Sequence, residues 1–340
     1  MYLKDKRVLV TGVCGAVGGE LVRQILEGKF GQVKELVGID NNETELFFVQ
    51  QRFDRYNAQF FLRDLRDFDG VRNVVEGVDI VFHAAALKHV TICEISPNEA
   101  VSTNILGLQN LIRAATQASV ERFIFTSSDK AVNPTNVMGT SKLMGERLVS
   151  AANNSRENKG TIFSSTRFGN VLGSRGSVLP IFKDQIMNGQ KVTLTDKRMT
   201  RFIMSIHEAA HLVLDSGHLA QGGEVFITKM PVIRIEDLAN AMIELLVEGH
   251  GLPFKPDIIE IGVKPGEKLY EELMSQEEMH RSVETKYYFV VKPAFRDVYA
   301  RNYSYADIIS EEVDNPYNSS QEPAMKPEEL VCFLKEKNLV

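Results

Sequence analysis

The 340-residue sequence predicts an α/β protein built on a doubly wound parallel sheet, with a smaller, mixed lobe in its C-terminal half. Three observations carry that prediction. Short runs rich in Val, Ile and Phe alternate with longer stretches of helical period, and the first run enters a glycine-rich turn. Past Phe168 the alternation loosens, where Gly169, Gly173, Gly176 and Pro180 crowd together.

The apolar runs are Val8-Leu9-Val10, Leu36-Val37-Gly38-Ile39, Ile80-Val81-Phe82, Phe123-Ile124-Phe125 and Ile162-Phe163. Between them, Val17 to Leu26, Asn98 to Ala118 and Asn136 to Ala152 carry apolar residues at three- and four-residue spacing, which predicts crossover helices. Asp314 to Pro327, with Asn315-Pro316 and Asn318-Ser319-Ser320, reads as irregular chain before a final helix from Glu328. Residues 1–168 are expected to form the nucleotide-binding domain, with a segment at about 205–231 returning to it, and residues 169–340 the substrate lobe.

The net charge of −6 comes from acids and bases mixed along the whole chain, with no basic block, so neither nucleic acid nor a membrane surface is expected as a partner. Cys14, Cys93 and Cys332 are an odd, widely spaced set, without the pairing of a disulfide framework or a metal site. A reducing, cytoplasmic setting fits them. The N-terminal residues run directly into a strand, and no stretch approaches the ~20 apolar residues that span a bilayer.

In Val8-Leu9-Val10-Thr11-Gly12-Val13-Cys14-Gly15-Ala16-Val17-Gly18 a strand enters a turn with glycines three apart and then a helix. Gly12 and Gly15 allow a sharp turn and close approach to phosphate, Gly18 lets the helix lie against the strand, and the helix start at Ala16 and Val17 offers its free amides to a pyrophosphate. Out of context, such a turn could be an ordinary βα connection. Asp40, at the end of the second strand, supplies the context: a carboxylate there accepts from the adenosine ribose hydroxyls and repels a 2'-phosphate, favouring NAD over NADP. This is the arrangement of a Rossmann-type domain. Asp64, with Leu65 beside it, follows Phe61-Leu62-Arg63 where it can meet the adenine or simply be a solvated acid.

Further segments narrow the family: His83-Ala84-Ala85-Ala86-Leu87-Lys88-His89, Thr126-Ser127-Ser128-Asp129-Lys130-Ala131-Val132-Asn133-Pro134, Met138-Gly139-Thr140-Ser141-Lys142, Arg167 to Ser177, Met199-Thr200-Arg201-Phe202 and Gly266-Glu267-Lys268. Over nearly its whole length the chain resembles the extended short-chain dehydrogenases/reductases, and within them the UDP-N-acetylglucosamine 4,6-dehydratases of capsule and flagellin-glycan synthesis. Two positions depart from the pattern. Met138 stands where most of the superfamily has tyrosine, four residues before the lysine, Lys142; a thioether cannot titrate, so the usual tyrosine-lysine relay cannot operate. A subgroup of the dehydratases resembles this chain in carrying methionine there. Ser128 replaces a threonine and keeps the hydroxyl.

The resemblance implies hydride removal from sugar C4, loss of the C5 proton and the C6 hydroxyl, and return of hydride to C6 on a tightly bound NAD. It makes Asp129 the acid for the C6 hydroxyl and Lys130 the base at C5. That chemistry requires Asp129 to be raised from ~3.9 and Lys130 lowered from ~10.4. Without a tyrosine, Asp129, with Ser128 orienting the substrate, is expected to take the C4 hydroxyl proton first and deliver it to the C6 oxygen later. Lys142 keeps the nicotinamide ribose; Ala84 and Ala85 line the cofactor. Lys88, Asn170, Arg175, Arg201 and Lys268 are read as substrate contacts, the cations among them as partners of a UDP diphosphate or as ordinary salt bridges. Asn104 is read as a structural, cofactor-side residue, and His83 and His89 as histidines satisfied by backbone. No His/Cys/Asp cluster has metal spacing, so no metal is expected.

The expected product is a UDP-4-keto-6-deoxy-N-acetylhexosamine with C5 configuration retained. The alternatives are a 5-inverting dehydratase, a nucleotide-sugar 4-epimerase, and a catalytically silent NAD-binding protein, for which Met138 is the best support. The helices at Asn98 to Ala118 and Asn136 to Ala152 commonly pair across a dimer in this superfamily, so a homodimer or higher homo-oligomer is expected.

Overall fold

A computed structural model of the chain describes residues 1–263, 266–294 and 303–340. The N-terminal part alternates strand and helix: β1 (Arg7–Thr11), α1 (Ala16–Leu26), β2 (Glu35–Asp40), α2 (Glu43–Arg52), β3 (Ala58–Leu62), α3 (Phe68–Val75) and β4 (Ile80–His83). Next come α4 (Val90–Ile95), α5 (Pro97–Ala100), a π-helical segment (Val101–Gly107), α6 (Leu108–Gln117), β5 (Arg122–Ser128), a single 3-10 turn (Asp129–Ala131), α7 (Val137–Asn153) and β6 (Ile162–Phe168). The stretch predicted as one helix from Asn98 to Ala118 is therefore continuous but changes winding in its middle. Apolar spacing cannot separate the two windings, because both keep one face turned to the core.

Beyond Gly169 follow β7 (Asn170–Leu172), α8 (Val178–Met187), β8 (Val192–Leu194), β9 (Thr200–Ser205), α9 (Ile206–Leu219) and β10 (Val225–Thr228). The chain continues with β11 (Val232–Arg234), α10 (Ile235–His250), β12 (Ile258–Glu260), α11 (Gln276–Met279), β13 (Ser282–Thr285), β14 (Tyr288–Val291), β15 (Ile308–Ser310) and α12 (Pro327–Glu336).

A ten-stranded sheet runs in the order β15-β13-β14-β10-β6-β5-β4-β1-β2-β3. Strands β1 to β6 and β10 are parallel, while β14, β13 and β15 add antiparallel pairs at one edge. Both faces are covered. Val8 and Val10 pack with Leu21 and Ile25 of α1 and Leu212 and Val213 of α9, whereas Leu9 between them packs with Val71 of α3, Leu111 of α6 and Val149 of α7. Strand order reverses between β1 and β4, which opens a crevice at the carboxyl ends of the strands.

The second lobe has its own core, in which Leu179, Phe182 and Ile186 of α8 meet Leu238, Met242 and Leu246 of α10 and Leu330 and Leu334 of α12. Strand β9 spans both cores: Phe202 and Met204 face the sheet's core and Ile203 faces the lobe's. Local sequence sets the element boundaries. Asn42 and Asn136 cap α2 and α7 by accepting from the Glu45 and Gly139 amides, Ser205 and Glu208 form a reciprocal capping box on α9, and Gly251 ends α10 in the left-handed conformation.

Candidate active site

The crevice beside β1 is shaped by main chain. Gly12 sits at φ +74°, and a Cβ there would lie 2.7 Å from the Ala85 Cα; one on Gly18 would lie 2.0 Å from the Gly12 carbonyl oxygen. Helix α1 begins after Gly15 with no side-chain cap, leaving its first amides to a ligand. Asp40 is held in place, accepting from the Cys14 amide at 3.0 Å and the Asn42 amide at 3.0 Å. Asp40, Asp64, Leu65, Ala84 and Ala85 line one cavity with Gly12 and Gly15, and Arg63 joins them. These residues fit the adenosine and pyrophosphate of a dinucleotide. Asp64 is also paired with Arg66 at 2.6 Å, and that guanidinium holds its carboxyl below the usual range.

A second cavity, of about 470 Å³, continues past the Gly15–Gly18 turn and is lined by Ala16, Val17, Lys88, Ser128, Lys130, Met138, Lys142 and Arg175. Lys142 is buried, donates to the Thr126 carbonyl oxygen at 3.0 Å and sits 4.8 Å from the Phe125 ring centroid. Burial lowers its pKa to about 8 against the pull of Glu146. Four residues earlier on α7, Met138 is 3% exposed and packs against Cys93, Ala100, Leu87 and Val90. Asn104, in the π-helical segment, accepts from the Leu87 amide at 2.8 Å and donates to the Leu87 carbonyl and the Ser141 hydroxyl, each at 2.9 Å. Loop and helix are thereby locked together beside Met138. His83 is buried, sharing a 2.7 Å hydrogen bond with Thr11; burial and the nearby Lys142 charge push its pKa down to about 3, so the imidazole is neutral.

At the end of β5 the 3-10 turn sets Asp129 and Lys130 side by side. Ser128 Oγ donates to Asp129 Oδ1 at 2.6 Å, and Lys130 Nζ donates to both carboxylate oxygens at 3.2 and 3.1 Å. Asp129 is 3% exposed. The pair departs from the expected pKa pattern. Burial would raise Asp129, but Lys130 and Ser128 outweigh it and hold the carboxyl below its usual range; burial would lower Lys130, but Asp129 and Glu271 raise it. Each is the other's counter-ion, and both shifts favour the charged forms.

Asp129 and Lys130 face a third cavity, of about 220 Å³, shared with Asn170, Arg201, Lys268, Glu271 and Glu272. Lys130 and Asn170 line both this cavity and the one at Met138 and Lys142, so the two are neighbours. The remaining sequence-derived contacts divide into two groups. Asn170, Arg201 and Lys268 gather around Asp129: Arg201 donates to the Lys268 carbonyl at 2.9 Å, and Lys268 Nζ donates to the Val132 carbonyl at 2.9 Å. Lys88 and Arg175 lie apart from these, over the glycine turn. Lys88 Nζ donates to the Arg175 carbonyl at 2.9 Å, and the exposed Arg175 guanidinium reaches Glu45 on α2 at 2.8 Å.

Sequence reasoning missed Arg63 and Glu271. Glu271 is 5% exposed, and both its oxygens accept from Asn170 Nδ2, at 2.8 and 2.7 Å. The signal available was its position three residues after Gly266-Glu267-Lys268, in a loop where no periodicity marks a residue as inward-facing.

Sheet order, glycine turn and the placement of Lys142 on α7 define an extended short-chain dehydrogenase/reductase. The chain belongs to the polysaccharide biosynthesis protein family, which it matches over residues 8–293. A protein of Methanocaldococcus jannaschii named as an uncharacterised membrane protein is 48% identical over 338 residues, 98% of this chain and 97% of the relative. Among the described residues of this chain, no helix is long and apolar enough to cross a membrane. A UDP-N-acetylglucosamine 4,6-dehydratase (inverting) of Campylobacter jejuni is 35% identical over 334 residues, 98% of this chain and 93% of the relative. A UDP-glucose 4-epimerase of Rickettsia bellii is 37% identical over 295 residues, 86% of this chain and 85% of the relative. Among solved structures, Pen from Bacillus thuringiensis superposes with a TM-score of 0.92 at 39% identity, covering 100% of both chains.

Proposed function

We propose that this is a nucleotide-sugar-modifying enzyme, and specifically a hydro-lyase: a UDP-N-acetylglucosamine 4,6-dehydratase that keeps NAD bound through its cycle. The observation that carries the reading is the buried Asp129–Lys130 pair at the end of β5, with Ser128 bonded to it, facing a cavity that shares Lys130 and Asn170 with the one at Lys142. An epimerase has no hydroxyl to expel and no proton to take from C5, so it has no need of such a pair.

When bound, the nicotinamide supplies acceptance of hydride from C4 and its return to C6. The chain's own groups move the protons. Asp129 is ionised in the free protein, the state needed to accept the C4 hydroxyl proton. Accepting it makes Asp129 the acid that protonates the departing C6 oxygen, releasing water. It also removes the nearer of the negative charges that hold the Lys130 ammonium, and burial then favours release of its proton to solvent through the cavity, leaving the amine that takes the C5 proton, later returns it, and is reprotonated from solvent once Asp129 is ionised again. Met138 titrates nothing and fills the apolar wall. Lys142 would hold the nicotinamide ribose, and Asp40 the adenosine ribose, where its fixed carboxylate disfavours a 2'-phosphate. Arg201 and Lys268 line the cavity at Asp129, while Lys88 and Arg175 stand over the glycine turn; one or both sets would receive the UDP diphosphate.

Incubation with UDP-N-acetylglucosamine, followed by NMR of the product, tests the reading. A 4-keto-6-deoxy sugar formed with loss of water is expected, and the C5 coupling separates retention from inversion. An isomeric nucleotide sugar marks an epimerase, and an unchanged substrate a silent binder or an enzyme of another sugar. Exposed apolar side chains on α4, the π-helical segment and α7 (Ile92, Ile95, Val101, Leu106 and Met144) support a homodimer, checked by light scattering.

A further inference from the structure

The loop between β7 and α8 reaches back over the glycine turn and is tied down there at three points. Gly173 and Gly176 bound it, both with positive φ, at +76° and +73°, so the chain turns sharply at each end. Between them, Ser174 and Arg175 line the cavity that Gly15, Ala16, Val17 and Gly18 also line. The Arg175 guanidinium reaches Glu45 at 2.8 Å, and Lys88 Nζ donates to the Arg175 carbonyl at 2.9 Å. The third point is Gly176, where a Cβ would lie 2.6 Å from His89 Cε1, so main chain rests directly on the imidazole. Glu45 is itself anchored: its amide donates to Asn42 Oδ1 at 3.1 Å, and the Asn42 amide donates to Asp40 Oδ1 at 3.0 Å. The loop therefore links the turn that carries Asp40 to Lys88 and His89, which follow β4.

We propose that Glu45 is a positioning residue that fastens the Gly173–Gly176 loop as a strap across the bound dinucleotide, so that NAD leaves slowly between turnovers. This rests on the reading that NAD stays bound through the cycle, and it supplies a physical means for that. A pyrophosphate at the free amides of α1 shares its space with Arg175, so its exit requires Arg175 to part from Glu45. The sign of the effect is diagnostic. As a mere charge, an acid at the edge of a diphosphate site weakens binding, and its removal would slow release. As a fastening, Glu45 does the opposite, and its removal frees the strap and speeds release. The pair is exposed, the Arg175 side chain by 74%, so it holds weakly and is screened by salt. A few-fold change is therefore the scale expected, with Lys88 still holding the Arg175 main chain.

The test follows NAD itself and needs no turnover. Full-length protein loaded with radiolabelled NAD is diluted into excess unlabelled NAD, and the label left on the protein is counted over time. Glu45→Gln is expected to release NAD about three- to fivefold faster than the native protein at about 50 mM NaCl, and Glu45→Arg, which repels Arg175, about tenfold faster or more. The native and Glu45→Gln rates are expected to converge at about 1 M NaCl, where the Debye length falls to about 3 Å. Glu43→Gln removes an exposed acid from the same first turn of α2, and release is expected to stay within about twofold of native. Glu45→Asp keeps the charge but shortens the arm; it is expected to quicken release about twofold, and decides if Glu45→Gln fails to fold. Hydrogen exchange of the NAD-free protein gives a second readout, in which the amides of residues 173–177 exchange faster in Glu45→Gln. Release unchanged or slowed in Glu45→Gln, or a difference from native that salt does not remove, overturns the proposal. If the native protein loses its label within the mixing time, the reading that NAD stays bound fails and the strap with it; slow native release that ignores Glu45 overturns the strap alone.

Discussion

Arg167 and Glu146 meet in a two-point ion pair from which water is excluded: Nε donates to Oε1 at 2.9 Å and a terminal nitrogen to Oε2 at 2.6 Å, with Arg167 0% exposed. The opposite side of the same guanidinium bonds both oxygens of Glu278, at 3.0 and 2.9 Å, and the Leu273 carbonyl at 2.7 Å. One side chain of β6 thus ties α7, which carries Met138 and Lys142, to the segment that follows Glu271. Removing either acid takes two hydrogen bonds from a fully buried guanidinium. Glu146→Ala or Glu278→Ala is expected to cost about 3–5 kcal/mol in urea unfolding, whereas Asp69→Ala, which breaks the exposed pair with Arg72, should cost under about 0.5 kcal/mol.

Asp129→Asn removes the group assigned to both ends of the C4-to-C6 proton transfer while keeping its size. Turnover of UDP-N-acetylglucosamine is expected to drop by at least about a hundredfold, and reduced cofactor, followed by its absorbance, should not accumulate on adding substrate. Substantial C4 oxidation in a folded variant would show that another group takes the first proton.

Met138 offers packing and no titratable atom. Met138→Leu conserves volume and is expected to keep activity within a few-fold. Met138→Tyr places a ring against Cys93, Ala100 and Leu87, so a loss of about 1–3 kcal/mol in stability with no gain in rate is expected. Paired thermal melts and rate measurements check both substitutions.

His83 makes stability depend on acidity. Its folded pKa is near 3 and its unfolded value 6.5. Above pH 6.5 the ring is neutral in both states and adds no slope. As pH falls between those values, the unfolded chain binds a proton that the folded chain refuses, so stability drops by up to about 1.4 kcal/mol per pH unit. Carboxylates such as Glu278, held down to about 2 beside Arg167, reduce stability at the lower end of the same window. The difference between native protein and His83→Asn, measured by urea unfolding from about pH 7 to about pH 4, isolates the histidine; equal slopes would contradict it.

The fold was legible wherever one local rule governs one element. The β1 run and the glycines of the turn lie within a few residues of each other and Asp40 ends the next strand, so their placement around one crevice follows from spacing. The winding change around Asn104 was not legible, since helical periodicity survives it. The candidate site was legible at Asp129 and Lys130, which are neighbours in sequence, but not in its charge balance. That balance depends on Glu271 and Arg201, brought to Asp129 from loops and strands far along the chain, and nothing local to Asp129 announces a second carboxyl 142 positions later.

The path of the backbone between the lobes constrains how such a protein can change its substrate. After β9 the chain returns to the large sheet as α9 and β10, leaves again for β11 and α10, and comes back as β13 and β14 before ending on the small lobe as α12. No single cut frees one lobe from the other, so the small lobe is not a module that recombination can exchange whole. Changes to the cleft must instead arise by substitution in place, at lining loops such as the one around Glu271, with the scaffold inherited intact.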